Sequence, residues 1–524
     1  MSTQTQITIS NLVIKCTTLK HLKQIHAHIL KLHHPHNSSA FAPVLSFAAT
    51  SNNPTFFNYA RAIFQQIQYH NTFMYNNMIR GFMQQDFAIS AILCYKEMAN
   101  RGFLPNKYTF TPLLKACSMV SCDLKKMGLL VHAHLVELGF CSDQFIVSAL
   151  VEFYSLNLDM DGARKVFDEI PEPDVVLWTT MIDGYGKVGE VERARALFEG
   201  MGERNVISWS AIIAAYSRSS DFKEVLSLYR RMEEDGVRPN ESVLVSVLTA
   251  CAHLGALSQG VWIHKYAKRC GYERNIILAT ALVDMYSKCG CIDLALSVFE
   301  GIKDKDSGAW NAIIAGVALG GHTMKSLELF DKMLLSRTKP SEATFVAILT
   351  ACTHMKLVDK GLQFFERMSI EFAIEPKLEH YASVVDLLAK SGKLAEAEKF
   401  IEQRMGGFGR GDAYVWGALL NSCRTYGNVD IGDRIWRALT KMGVTDSGMH
   451  VLSYNMYKEA GWEVEAKRVR NRVENTRTKK QPGCSVIEVN GVVEEFLVGD
   501  FLHPRAKQVC ETLGSLVNVM YMTI

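Results

Sequence analysis

The chain repeats itself, and that constrains its fold more than any other feature of its 524 residues. Residues 307–341 (SGAWNAIIAGVALGGHTMKSLELFDKMLLSRTKPS) align with residues 206–240 (VISWSAIIAAYSRSSDFKEVLSLYRRMEEDGVRPN), and both align with residues 72–106, each stretch 35 residues long. Every copy reads as a helix of apolar periodicity, a short break, a second helix ending near a Met, and a turn closed by Pro and a polar residue. Variants of 31 to 37 residues fill the rest of 72–412, giving ten units that begin at residues 72, 107, 144, 175, 206, 241, 276, 307, 342 and 378. Degenerate copies are expected over 9–71, because LKQIHAHILKL (22–32) returns as LLVHAHLVEL (129–138). Two short amphipathic helices cannot bury their apolar faces alone, so neighbouring units must stack, and an all-α superhelical solenoid is the predicted fold.

The register of the repeat gives many conspicuous residues a packing role. The fourth residue of a unit is aromatic at Tyr75, Phe110, Trp178, Trp209, Trp310 and Tyr381, and Trp416 sits in the same slot past the array; these are expected between helices. Met98, Met201, Met232 and Met333 mark the second helix. Cys117, Cys251, Cys352 and Cys423 recur in the strings KAC, TAC, TAC and NSC, which suits a small buried hydrophobe in a reducing compartment. No C-x-x-C occurs, and His26/His28 and His132/His134 are two apart, so they face different ways on a helix. No metal site, cofactor or catalytic residue is expected from these patterns, and no H-E-x-x-H, P-loop or G-x-S-x-G is present.

Charge narrows the partners. Net charge is +3, with no Asp or Glu before Asp86 and six basic residues ahead of it. A chain so nearly neutral does not grip nucleic acid by bulk charge, so any such binding must come from placed side chains. No apolar run reaches the roughly 18 residues of a membrane span, and no membrane partner is expected. Near the C-terminus, 486–489 and 492–497 flank Asn490-Gly491, which predicts a β-hairpin.

Units ending in GFLPN, GVRPN and RTKPS and opening in YNNMI, WSAII and WNAII resemble pentatricopeptide repeats of the land-plant PLS type. Units of 35 residues resemble the P form, the Ala-Cys unit at 241–275 the L form, and 31-residue units such as 276–306 the S form. VWGALLNSCRTYGNVDIGD (415–433) resembles the E region that follows the last repeat, and QPGCSVIEVNGVVEEFLVGDFLHP (481–504) the segment with the PG box. The resemblance implies a right-handed superhelical solenoid divided into a short targeting leader (1–8), degenerate repeats (9–71), ten repeats (72–412), an E region (413–480) and an E+ segment with the hairpin (481–524).

It also implies a function. Members of this family bind single-stranded RNA at about one base per repeat through two or three side chains. By analogy the readers are the fifth residue of each unit, on the concave face, and the last. These pairs are Asn76 with Asn106, Thr111 with Asp143, Ser148 with Asp174, Thr179 with Asn205, Ser210 with Asn240, Thr280 with Asp306, and Asn311 with Ser341. Acceptors at the last position suit the ring N–H of G and U, donors the bare ring nitrogen of A and C; the family adds that a hydroxyl at the fifth position goes with purines and Asn with pyrimidines. Val245 with Asn275, Val346 with Lys377, and Ala382 depart from this code, so the expected element is 5′-Y-G-G-A-A-N-G-C-N-N-3′ with an edited cytidine downstream. Second-position Phe73, Tyr108, Phe145, Val176, Ile207 and Ile277 would sandwich bases, and Lys187, Arg218, Lys288 and Lys390 at position thirteen would contact phosphates. The basic stretch at 466–480 could touch RNA beyond the array or an acidic partner.

Longer relatives continue into a DYW-type cytidine deaminase needing His-x-Glu and Cys-x-x-Cys, and this sequence reaches Ile524 with neither. The expectation is therefore a non-enzymatic site-recognition factor for organellar cytidine-to-uridine editing. It would recruit a DYW-type deaminase in trans, together with multiple organellar RNA editing factor proteins. The alternatives are a splicing or transcript-stability factor and, from another class, a protein–protein scaffold. Seven Ser/Thr in the first 20 residues and the acid-free start suit a transit peptide, with mitochondrion preferred to chloroplast.

Overall fold

The structure, a computed structural model, describes residues 12–13, 15–32, 41–51, 53–119, 125–405, 413–441, 443, 447–476, 484–489, 492–497 and 506–522. It is built from short α-helices arranged as antiparallel pairs. The first helices are Thr72–Gln84, Lys107–Met119, Gln144–Leu156, Val175–Val188, Val206–Arg218, Glu241–Leu254, Ile276–Lys288, Ser307–Leu319, Glu342–His354 and Leu378–Lys390. Each is followed by a second helix, as in Val191–Gly200 after Val175–Val188 or Thr323–Leu335 after Ser307–Leu319. Ahead of them lie Leu19–Leu32, Ala42–Ala49 and Pro54–Gln66; after them, Ala413–Thr425, Val429–Lys441, Ser447–Glu459 and Glu463–Thr476. No helix among the described residues is long and apolar enough to cross a membrane.

Helices of about 13 residues are marginal on their own, so their ends and their packing must fix them. The turn between the paired helices is set by one residue with positive φ, for example Gly290 (φ 78°) and Gly321 (φ 81°). The same backbone is adopted at Asp86, Leu158, Ser220 and Lys356, where a side chain pays a steric penalty and stacking holds the turn.

The chain forms two compact units, residues 1–221 with 230–238, and residues 222–229 with 239–524. Inside the first, Trp178 packs edge-on against Phe167 and Trp209 against Phe198, at centroid distances of 4.9 and 4.7 Å. The same contact recurs in the second, Trp310 on Phe299 at 4.8 Å and Tyr381 on Phe365 at 5.4 Å. The fourth residue of a unit thus meets a phenylalanine from the second helix before it. Met98, Met201, Met232 and Met333 are buried alongside. Cys117, Cys251, Cys352 and Cys423 are free and buried, and burial pushes their thiols up, those of Cys251 and Cys423 to about 12.

Four histidines join this scaffold by bonding to tyrosine hydroxyls. His26 pairs with Tyr59 at 2.7 Å, His132 with Tyr154 at 2.6 Å, His134 with Tyr95 at 2.6 Å, and His264 with Tyr286 at 2.9 Å. Past the array, Arg424 holds Glu459, and Arg434 holds Glu398, so successive hairpins are also clasped by ion pairs.

Strands Cys484–Val489 and Val492–Leu497 pair antiparallel with Val489 opposite Val492, closing a two-residue connection. Asn490 and Gly491 lie outside the described residues, as do 477–480 of the basic stretch. The first strand starts two residues earlier than the hydrophobic run alone suggests. Within this second unit, Glu488 Oε2 accepts from the backbone N–H of Ser258 at 3.1 Å.

Candidate nucleic-acid interface

The side chains that close each unit have a local reason to be polar: they cap the next helix. Asp143, Asp174, Asn205, Asn240, Asn275 and Asp306 are N-caps whose side-chain oxygens accept first-turn N–H groups at 2.8 to 3.4 Å. Asn106 accepts from the Tyr108 N–H at 3.1 Å, and Ser341 is the N-cap of Glu342–His354. Such a cap contributes about 1 kcal/mol, so the polarity of this position has a structural cause before any ligand is considered. Asn205 and Asp306 are exposed, and Asn106, Asp143, Asp174, Asn240 and Ser341 half-buried.

The fifth residues lie one turn further along. Thr111 is exposed; Ser148, Thr179, Ser210, Thr280 and Asn311 are half-buried; Asn76 is the most enclosed, at 9% exposure. Five of them show one of two chemistries. Ser148, Thr179 and Ser210 donate their hydroxyl protons to the carbonyls four residues back (Gln144, Val175 and Val206) at 2.7 to 2.9 Å. Asn76 and Asn311 instead donate from Nδ2 to the closing residue of their own unit, Asn76 to Asn106 Oδ1 at 2.8 Å and Asn311 to Ser341 Oγ at 2.9 Å. In these two units the fold brings together the fifth and last side chains from positions 30 residues apart.

Apolar side chains flank the pairs. Phe73, Tyr108, Phe145, Val176, Ile207 and Ile277, each second in its helix, are all exposed, Phe145 by 81%. A large apolar side chain left in water at one position of successive hairpins is what a stacking surface requires.

The position-thirteen cations are exposed at first-helix C-termini, and each has an anionic neighbour. Lys187 pairs with Asp183 at 2.7 Å, Arg218 with the same Asp183 at 3.1 Å, Lys288 with Asp284 at 2.9 Å, and Lys390 with Asp386 at 2.8 Å. A phosphate at these residues would compete with a carboxylate four residues back on the same helix or, for Arg218, with Asp183 on a neighbouring helix. The four-residue spacing behind Lys187, Lys288 and Lys390 is legible in any helix; the Arg218–Asp183 contact, made between two helices, is not.

Other residues emerge only from the contacts. Thr109 and Thr344, third in their helices and fully buried, donate to the carboxamide oxygens of Asn76 and Asn311 at 2.6 and 2.5 Å. Where the fifth residue is Val, the first residue of the unit is Glu and grips the last one: Glu241 accepts from Asn275 Nδ2 at 2.6 Å, and Glu342 from Lys377 Nζ at 2.6 Å. Among the ten units Thr occupies the third position only at 109 and 344, each directly after a unit whose fifth residue is Asn, and Glu the first position only at 241 and 342. Stacking the repeats in register would have exposed both correlations.

Stacked helical hairpins with caps, aromatics and exposed apolar side chains at fixed positions define a helical-repeat protein. The chain belongs to the pentatricopeptide repeat family. Models of the PPR repeat family match residues 70–119 and 204–253, and PPR repeat models match 169–202, 278–307 and 308–337. An E motif matches 426–488. A pentatricopeptide repeat-containing protein of Arabidopsis thaliana is 40% identical over 512 residues, covering 94% of this chain and 78% of the relative. A second from that plant, named as mitochondrial, is 38% identical over 96% of this chain and 72% of its own, and one named as chloroplastic is 38% identical over 98% and 92%. Among solved structures, the pentatricopeptide repeat protein PPR10 from maize aligns over 90% of this chain and 75% of its own with a TM-score of 0.56 at 17% identity. PPR10 in complex with an 18-nt psaJ RNA element aligns with a TM-score of 0.54 at 14% identity, over 91% and 75%.

Proposed function

We propose that this chain is a sequence-specific, single-stranded RNA-binding protein of an organelle that marks sites for cytidine-to-uridine editing. It performs no chemistry itself and recruits a DYW-type deaminase in trans, with multiple organellar RNA editing factor proteins as further partners. The observation that carries the RNA half is the pairing of fifth and last side chains, Asn76 with Asn106 and Asn311 with Ser341, beside exposed apolar second residues. Polar edges that hydrogen-bond a base and apolar groups that stack on it are the two things unpaired RNA needs. The RNA complex of PPR10 and the organelle names of the relatives support the same reading.

The E motif at 426–488 favours editing over splicing or transcript stability, since RNA binding alone has no use for that segment. The pairing of polar residues also argues against a peptide scaffold.

The test changes one base preference without touching the fold. Ser341→Asp keeps a good helix cap and an acceptor for Asn311, but replaces a hydroxyl that can donate with a carboxylate that cannot. The preference at that nucleotide should move from C toward U, with neighbouring positions unchanged, in binding assays on matched RNAs built on the expected element. An unchanged profile would remove this register of reading. Editing assays on organelle transcripts with and without the gene then separate the two halves, because an editing factor leaves one or a few cytidines unconverted when lost.

A further inference from the structure

We propose that Thr109 and Thr344 are specificity-positioning residues: each locks the carboxamide of the preceding unit's fifth residue so that its N–H₂ edge, not its carbonyl, faces the base. The proposal rests on the RNA-reading function above and names residues outside the fifth, last and second positions.

The geometry is strict at Thr109. Its Oγ1 accepts the backbone N–H of Asn106 at 3.0 Å and directs its single proton to Asn76 Oδ1 at 2.6 Å, the nearer of two acceptors, with Asn106 Oδ1 at 3.4 Å. Asn76 Nδ2 donates to Asn106 Oδ1 at 2.8 Å, an oxygen already oriented by the Tyr108 N–H. Turning the Asn76 amide end for end would set two carbonyl oxygens against each other at that distance. Both ends are therefore assigned, and the second N–H of Nδ2 is what remains for a ligand.

The same connectivity recurs in the other compact unit. Thr344 Oγ1 accepts the Ser341 N–H at 2.8 Å and donates to Asn311 Oδ1 at 2.5 Å, while Asn311 Nδ2 donates to Ser341 Oγ at 2.9 Å. Both threonines are fully buried and cannot touch RNA themselves.

A clamp of this kind matters because a carboxamide is nearly symmetric in shape and opposite in chemistry at its two ends. A free asparagine can flip and accept where it had donated, so it tolerates a wrong base. Ser208 supplies the contrast. It also accepts the backbone N–H of its N-cap, Asn205, at 3.1 Å, but returns its proton to the Asn205 carbonyl at 2.9 Å and reaches no fifth residue.

Two measurements on the full chain test the clamp. In the first, RNAs carrying each of the four bases opposite the 307–341 unit are titrated against wild type, Thr344→Val, Thr344→Ser and Ser208→Ala. Thr344→Val should lose roughly three- to tenfold of the discrimination at that nucleotide, the worth of one fixed hydrogen bond, and none elsewhere. Thr344→Ser should restore it. Ser208→Ala should lower the unfolding midpoint through its lost cap and leave base preference alone. A Thr344→Val protein that discriminates as wild type does overturns the proposal. The second measurement needs no RNA: solvent exchange of the Asn311 side-chain N–H₂, assigned by its loss in Asn311→Asp and followed by NMR. Protection in wild type that disappears in Thr344→Val supports the clamp even if the chain binds no RNA; equal exchange in both overturns it.

Discussion

The units at 307–341 and 342–377 sit next to each other, share one helical hairpin design, and differ at the edge where a base would be read. In the first, Asn311, Ser341 and Thr344 form a closed hydrogen-bond relay with a donor left over. In the second, Val346 has nothing to offer, and the groups that could compensate are engaged. Lys377 is held by Glu342, and buried His380, in the third position that Thr344 fills one unit earlier, bridges the Lys377 N–H and the Glu342 carbonyl at 3.0 Å each. The 241–275 unit repeats the pattern, with Val245 at the fifth position and Asn275 tied to Glu241. On the reading proposed above, competence to read a base would belong to a network that crosses the boundary between units, and one scaffold carries that network in both an open and a closed form.

The largest effect expected on this comparison comes from spacing. Gly316, at the tenth position of the open unit, lies so close to the preceding first helix that a Cβ would meet Ser287 Oγ, while the closed unit has Ala351 at the same place. Gly316→Val should overpack this contact and lower stability by about 1–3 kcal/mol, measured by urea denaturation followed through tryptophan fluorescence. A loss under about 0.5 kcal/mol would mean that the two first helices part easily there and that close approach does not set their spacing.

A second change asks whether the closed unit is silent because of Val346 alone. Val346→Asn by itself should add no base preference, because the neighbouring side chains remain committed to Glu342. Val346→Asn with Lys377→Ser and His380→Thr rebuilds the open relay and should yield about tenfold discrimination in favour of C at that nucleotide, the value of one well-placed polar contact. Discrimination from the single substitution would show that the network is dispensable.

How far these features were legible in the sequence follows from the range of the interactions involved. Helical hairpins could be read because their determinants repeat: apolar spacing within a helix, an aromatic at the fourth position, a cap at the last. The β-hairpin was legible from Asn490-Gly491 and its flanking runs, since the loop fixes the pairing of Val489 with Val492. The recurrence of Thr109, Thr344, Glu241 and Glu342 at fixed positions is legible once the repeats are aligned, but their contacts are not, because their partners are 33 to 38 residues away and meet them only once the next hairpin has stacked. The positive-φ turns at Leu158 and Lys356 escaped for a related reason: glycine marks this turn elsewhere, and here packing imposes it on residues that disfavour it.

The smallest expected effect separates the two closed units from each other. Both are shut by a first-position glutamate, but Glu241 holds a neutral amide and Glu342 an ammonium. The hydrogen bond and charge of Glu342 raise the pKa of Lys377 above its ordinary 10.5. A raised pKa means that the folded chain holds the proton more tightly than the unfolded one, so this contribution is complete below pH 10.5 and is lost as pH climbs through the folded-state value. Both side chains are largely in water, which screens the pair and keeps the effect modest. Denaturation midpoints of wild type and Lys377→Met should therefore differ slightly at pH 8 and converge as pH rises well past 10.5, and 1 M salt should bring the same convergence at neutral pH. The corresponding difference for Asn275→Ala should stay flat across that range, because no proton is gained or lost on the amide. A Lys377→Met difference that survives high pH and high salt alike would mean that the lysine stem closes this unit by packing, and that the two shut units work by one mechanism after all.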